Sequence, residues 1–156
     1  MFTGRNMRKI SHRGNISGRR PELENSQSYI REAVWQGYDV EVDVRWCPVR
    51  KQLFLGHDSC DYPVTIDLLR DYRNYLWVHV KDVRAALELA NSDLRMFFHE
   101  SERHTLIKNS DKIWTHDLSE ATTCSIIPLL NEEAAQSADQ YPFVAGICTD
   151  YPSIIC

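Results

Sequence analysis

Residues 39–45 read DVEVDVR, and this run limits the fold more than any other in the 156-residue chain. Valine alternates with a charged residue at every step, which is the period of a strand and not of a helix. Val40, Val42 and Val44 share one face; Asp39, Glu41, Asp43 and Arg45 share the other. The valine face calls for a covering layer. The charged face has two outcomes: it lies in water on an edge strand, or it points inward around a cation, because bare carboxylates are costly away from water. LWVHVK at 76–81 repeats the alternation, with Leu76, Val78 and Val80 opposite Trp77, His79 and Lys81, and argues for the inward arrangement.

Strand and helix patterns alternate along the rest of the chain. Residues 8–12 read as a short strand. SQSYIREAVWQ at 26–36 carries Tyr29, Ile30, Ala33 and Val34 at helical spacing, with Asn25 or Ser26 placed to cap it and Gly37 just past its end. QLFLGHD (52–58) is an extended piece with a turn, and residues 65–74 and 83–92 have helical patterns. RMFFHE (95–100), KIWTH (112–116), SIIPLL (125–130) and FVAGICTD (143–150) are further strands. Such alternation predicts a parallel sheet. Seven or eight β-then-α units predict an α/β fold, a compact (β/α) TIM-type barrel forming one domain over residues 1–156. A full barrel takes about 250 residues, so this one is expected to be reduced, with fewer than eight complete units. A short barrel with an open sheet edge also predicts a homodimer covering that edge.

The net charge of −4 hides an imbalance. Residues 1–20 hold six Arg or Lys and no acid, which leaves 12 basic against 22 acidic residues in the remainder. A basic end on an acidic chain, without basic–aromatic interleaving, speaks against nucleic acid and fits a small anion such as phosphate. No apolar run approaches the roughly 18 residues of a membrane span. The opening MFTGRNMRK has no apolar core, so neither a transmembrane segment nor a secretory leader is expected. Five cysteines with no C-x-x-C pair predict reduced thiols and a cytoplasmic location.

The ionisable residues gather where predicted strands end: His12 and Arg13, Glu41 and Asp43, His57 and Asp58, His79 and Lys81, His99 and Glu100, His116 and Asp117, and Asp150. In parallel α/β folds those ends form the active-site face. Glu41 and Asp43, at i and i+2 on one strand face, offer oxygen donors that suit a hard divalent ion. Trp114 is expected in the core, His104 at the surface and Asp150 in a structural role.

HRGN at 12–15, ENS at 24–26, GYDVEVDV at 37–44, GHD at 56–58 and CTDYP at 148–152 occur in that order. Together they resemble the glycerophosphodiester phosphodiesterase family, a branch of the PI-phospholipase-C-like phosphodiesterase barrels. The resemblance implies a metal-dependent phosphodiester hydrolase. His12 and His57 match the acid and base, a task suited to imidazole near neutrality. Arg13 matches an arginine whose planar fork holds phosphate, and Lys81 a lysine that neutralises it; His99 is placed with them as a phosphate contact. Glu41 and Asp43 match the divalent-metal ligands. Where the family has a third carboxylate this chain has His79, which either ligates, admitting Mn²⁺ or Zn²⁺ beside the expected Mg²⁺ or Ca²⁺, or contacts the phosphate and leaves a weaker metal site. Only residues 59–75 separate GHD from the next strand, leaving no room for the insertion that binds glycerol in such enzymes. The implied partner is therefore a small phosphodiester of unspecified headgroup. The alternative is a non-catalytic module that binds phosphate or sugar phosphate on the same scaffold.

Overall fold

In the computed structural model, which describes residues 7–156, the alternating run becomes β2 (Asp39–Cys47), a central strand of a single curled sheet. Arg5 of the basic segment and the first residues of the opening run MFTGRNMRK lie outside the described residues. The other strands are β1 (Arg8–His12), β3 (Gln52–Leu55), β4 (Tyr62–Pro63), β5 (Leu76–Val80), β6 (Met96–Phe97), β7 (His104–Leu106), β8 (Ile113–Thr115), β9 (Ser125–Pro128) and β10 (Gly146–Thr149). Four short helices accompany them: α1 (Gln27–Trp35), α2 (Ile66–Asp71), α3 (Val83–Leu89) and α4 (Glu132–Gln136).

Seven strands run parallel in the order β6-β5-β2-β1-β10-β9-β8. β3, β4 and β7 are antiparallel to their neighbours. The expected TIM-type barrel of β/α units therefore does not form; the sheet is mixed, a half-barrel with few helices. Three connections break the alternation. β2 runs into the antiparallel pair β3–β4 instead of a helix. The chain after β6 has no apolar helical face between residues 98 and 105, and it turns back as β7. Residues 116–124, linking β8 to β9, fall short of the roughly 10–12 that a crossover helix and its loops require, and form a 3₁₀ turn at Leu118–Glu120. The curl still carries Lys108 far enough round to exchange two backbone hydrogen bonds with Met96.

The pleat sorts the core into two sides. Val40, Val42, Val44, Val78 and Val80 pack outward with Ile30 and Ala33 of α1, Leu69 of α2, and Ala85 and Leu89 of α3. Facing inward, Ile10, Trp77, Phe97, Trp114, Ile126 and Cys148 form an apolar floor, one residue from each of six parallel strands. Two residues further along five of those strands, the same face carries His12, His79, His99, His116 and Asp150. A period of two thus stacks an ionisable layer on the floor. Among the inward acids of β2, Asp39 belongs to the opposite end: it pairs with Arg8 at 2.9 Å and accepts the Trp77 indole N–H at 2.9 Å. Glu41 and Asp43 remain for the site.

No described helix is long and apolar enough to cross a membrane.

Candidate metal and acid–base site

The site begins at the junction after β1. Arg13 (φ 56°) and Gly14 (φ 92°) are both left-handed, so the chain reverses within two residues. A Cβ on Gly14 would stand 2.8 Å from Cδ1 of Tyr29, which reserves the position for glycine. The Arg13 amide donates to the Glu41 carbonyl at 2.9 Å, tying the turn to β2. The left-handed arginine leads into a buried charge network. Its Nη1 donates to Glu24 Oε2 at 3.1 Å, and its Nε lies 2.9 Å from Asp43 Oδ2 at an angle that makes no hydrogen bond. The flanking acids hold the guanidinium above its ordinary range, against the opposing effect of burial.

Glu24 is the hub that the sequence reading missed. It is buried, and it accepts from Arg13, Asn15 (3.0 Å) and Arg19 (3.0 Å). Burial pushes its carboxyl up, but these donors outweigh burial and bring it down to about 2. The available signal was a lone pair of acids, Glu22 and Glu24, closing a segment with Arg13, Arg19 and Arg20. Asn25, at φ 64°, donates its amide to Asp43 Oδ2 at 3.0 Å and accepts the Asp43 amide at 2.9 Å. Ser26, not Asn25, therefore caps α1, accepting from the Tyr29 amide.

β2 and β5 are paired in parallel, with Glu41 beside Trp77 and Asp43 beside His79. Glu41, Asp43 and His79 each offer one ligand atom, and these atoms lie within 4.8 Å of one another. His79 Nδ1 stands 3.3 Å from Asp43 Oδ1 and 3.6 Å from Glu41 Oε1. Asp43 Oδ1 and Glu41 Oε2 are buried without a hydrogen-bond partner. Orphaned carboxylate oxygens facing an imidazole nitrogen are what a cation would satisfy, so these residues fit a divalent ion. Arg13, His79 and Lys81 (Nζ 3.8 Å from Asp43 Oδ1) bring positive charge against Asp43. Burial works to raise the Asp43 carboxyl, but the His79 ring and Arg13 hold it well below the usual range. Burial likewise disfavours His79 as a cation, yet Asp43 and Glu41 raise it to about 9.

His12 sits on the other flank. Its Nδ1 is 2.7 Å from Asp150 Oδ1, which also accepts the Asn15 amide at 2.8 Å. The carboxylate favours the Nδ1–H tautomer and leaves Nε2 as the nitrogen with a free lone pair, 3.8 Å from Glu41 Oε2. Asp150, expected as structural, is thus the residue that orients His12.

His57 stands apart from this buried cluster. It follows Gly56 on the turn after β3, is half-exposed, and holds Asp58 Oδ1 at 2.8 Å. Both histidines line one open cleft of about 580 Å³ with Arg13, Arg19, Asn131 and Asp150. Gly56 (φ 148°) anchors the turn by donating its amide to the Asp43 carbonyl, and a Cβ there would fall 2.1 Å from the Ser59 carbonyl oxygen. Gly56→Ala is expected to cost about 1–3 kcal/mol through that forced backbone strain, read as a lower urea midpoint.

His99 and His116 continue the ionisable layer. The His99 ring stacks on His79 at 4.6 Å, and its Nε2 is 3.2 Å from His116 Nε2. Burial, then the charges of His79 and His116, lower His99 to about 4; burial and His79 also lower His116. Of the residues predicted from sequence, Glu41, Asp43, His79, His12, Arg13 and Lys81 converge, with His99 stacked on His79 and His57 across the cleft. His104 is exposed on β7 and pairs with Glu120.

No family model, curated protein or solved structure matches this chain.

Proposed function

We propose that the chain is a divalent-metal-dependent phosphodiester hydrolase, of the glycerophosphodiester phosphodiesterase type that its motifs resemble. One observation carries the reading. A histidine with its tautomer set by a buried carboxylate, His12 on Asp150, presents Nε2 beside a ligand carboxylate, Glu41, that has an orphaned oxygen. An oriented base next to a metal-ready pair of acids suits attack on a phosphorus centre.

A divalent ion on Glu41, Asp43 and His79 would supply charge stabilisation to the phosphoryl oxygens. Mg²⁺ or Ca²⁺ matches the two carboxylates, while His79 admits Mn²⁺ or Zn²⁺. The chain's own residues do the remainder. One of His12 and His57 accepts the proton of the attacking water or substrate hydroxyl as the new P–O bond forms. The other gives a proton to the leaving oxygen as its P–O bond breaks. Lys81 and Arg13 offset the phosphate charge, and the cleft between the two histidines admits a small diester. The short link between β3 and β5 supports phosphodiester chemistry without a dedicated glycerol pocket. A cytoplasmic location, in keeping with five free thiols, and a homodimer over the β4 edge belong to the same reading.

A second reading, a binding module without turnover, is favoured by the occupation of Arg13 by Glu24 and Asp43. Phosphorus NMR on a panel of glycerophosphodiesters, sugar-phosphate diesters, lysophospholipids and a chromogenic bis-aryl phosphate, with Mg²⁺, Mn²⁺ or Ca²⁺, separates the two. Metal-dependent cleavage that vanishes in His12→Ala and His57→Ala supports the hydrolase. A folded, metal-loaded protein that cleaves nothing on the panel supports the module.

A further inference from the structure

We propose that His99 and His116 form a second metal position, for a borderline transition ion such as Zn²⁺, distinct from the Glu41–Asp43–His79 cluster. The two Nε2 atoms are 3.2 Å apart, with the rings at 60°. Two imidazole nitrogens bound to one tetrahedral ion at 2.0–2.1 Å are about 3.3 Å apart, so the pair is already spaced for ligation. The same distance is at the long limit for a hydrogen bond.

The fold places these nitrogens together with little freedom. His99 follows β6 and His116 follows β8, each two residues past an aromatic of the floor, Phe97 and Trp114, which stack at 4.4 Å. His99 is also held by its 4.6 Å stack on His79. A pair held from beneath by stacked aromatics loses little side-chain entropy on taking up an ion.

The pair opens onto a pocket of about 400 Å³ walled by Glu100, Glu102, Arg103 and Asp117. Glu102 is fixed there, its Oε2 accepting the amides of Glu100 and Ser101. Asp117 is engaged by Arg103 and Ser119. No third His, Cys, Asp or Glu among the described residues joins the pair at ligating distance. The site is therefore open, with its remaining positions facing the pocket and free for water or an anionic oxygen. Nitrogen donors without a bound carboxylate select Zn²⁺, Ni²⁺ or Cu²⁺ over Mg²⁺ and Ca²⁺, which separates this position chemically from its neighbour. The inference goes beyond phosphodiester chemistry and holds or fails without it.

The test is histidine-ring NMR during Zn²⁺ titration, which reports ligation at each imidazole and is blind to exposed thiols. His99 and His116 are expected to shift together at Nε2 while His104 stays in place. In His116→Gln, a change at an exposed residue, the His99 response should vanish and His79 should still respond. In Asp43→Asn the His99–His116 response should survive. Should His99 and His116 stay unmoved while His79 responds, the second position does not exist. The same holds if His99 shifts identically in His116→Gln.

Discussion

The His12→Ala protein is expected to lose phosphodiester turnover by about 10²–10⁴-fold, the range of a positioned acid–base group, while its divalent-ion affinity stays at the wild-type level. His12 ligates nothing in the Glu41–Asp43–His79 cluster, and the buried partner that it leaves, Asp150, keeps its hydrogen bond from Asn15. Asp150→Asn should reproduce a large part of the loss. An amide in place of the carboxylate no longer demands a proton on Nδ1, and Nε2 ceases to be the free nitrogen. The informative readout is a kcat that falls with KM unchanged and a displaced pH–rate profile; a purely structural role for Asp150 would lower the unfolding midpoint and leave that profile alone. Wild-type turnover in His12→Ala would remove this residue from the mechanism.

Asp43→Asn should have the largest combined effect on binding and folding. Its carboxylate is fully buried among Arg13, His79, Lys81 and Asn25, and its Oδ1 has no hydrogen-bond partner. Removing one partner of a buried charge cluster costs about 3–5 kcal/mol, seen in urea unfolding of the metal-free protein. Calorimetry should show divalent-ion affinity falling by at least about 100-fold, more than the loss of an outer-shell partner. Affinity unchanged from wild type would mean that the carboxylates serve some purpose other than ligation.

Proton competition at the same site gives the pH dependence. His79 is raised to about 9 by Asp43 and Glu41, so in the metal-free protein it carries a proton at neutral pH, and an ion must displace that proton to use Nδ1. Apparent metal affinity is expected to rise about tenfold per pH unit up to about pH 9 and then level off. The stability that protonated His79 lends the metal-free fold runs the other way. It is fully present below the unfolded imidazole value and is lost as pH rises toward about 9. Titrations at pH 6, 7 and 8 check both trends; a flat affinity would show that the ion does not engage His79.

The local pattern of the site was legible in residues 39–45 and 76–81. Strict alternation puts Glu41, Asp43 and His79 on one face, and β2–β5 pairing turns that face inward. What the sequence did not reveal is long-range or aperiodic. Glu24 meets Arg13 across a loop with no period to read. Asp150 meets His12 from the far end of the chain, through pairing of β1 with β10. The barrel does not form because several strand-to-strand links carry no α-helix. HESERHTL, at 99–106, has no apolar stripe to lay on a sheet, so it became a turn and an antiparallel strand.

The layering of the inner face has an evolutionary corollary. Cohesion resides in Ile10, Trp77, Phe97, Trp114, Ile126 and Cys148, while the polar groups ride one pleat repeat above them. Exchanges at positions 99 and 116 therefore alter donor atoms without excavating the hydrophobic base. A lineage built this way can vary the chemistry of its polar layer in single steps on the same foundation.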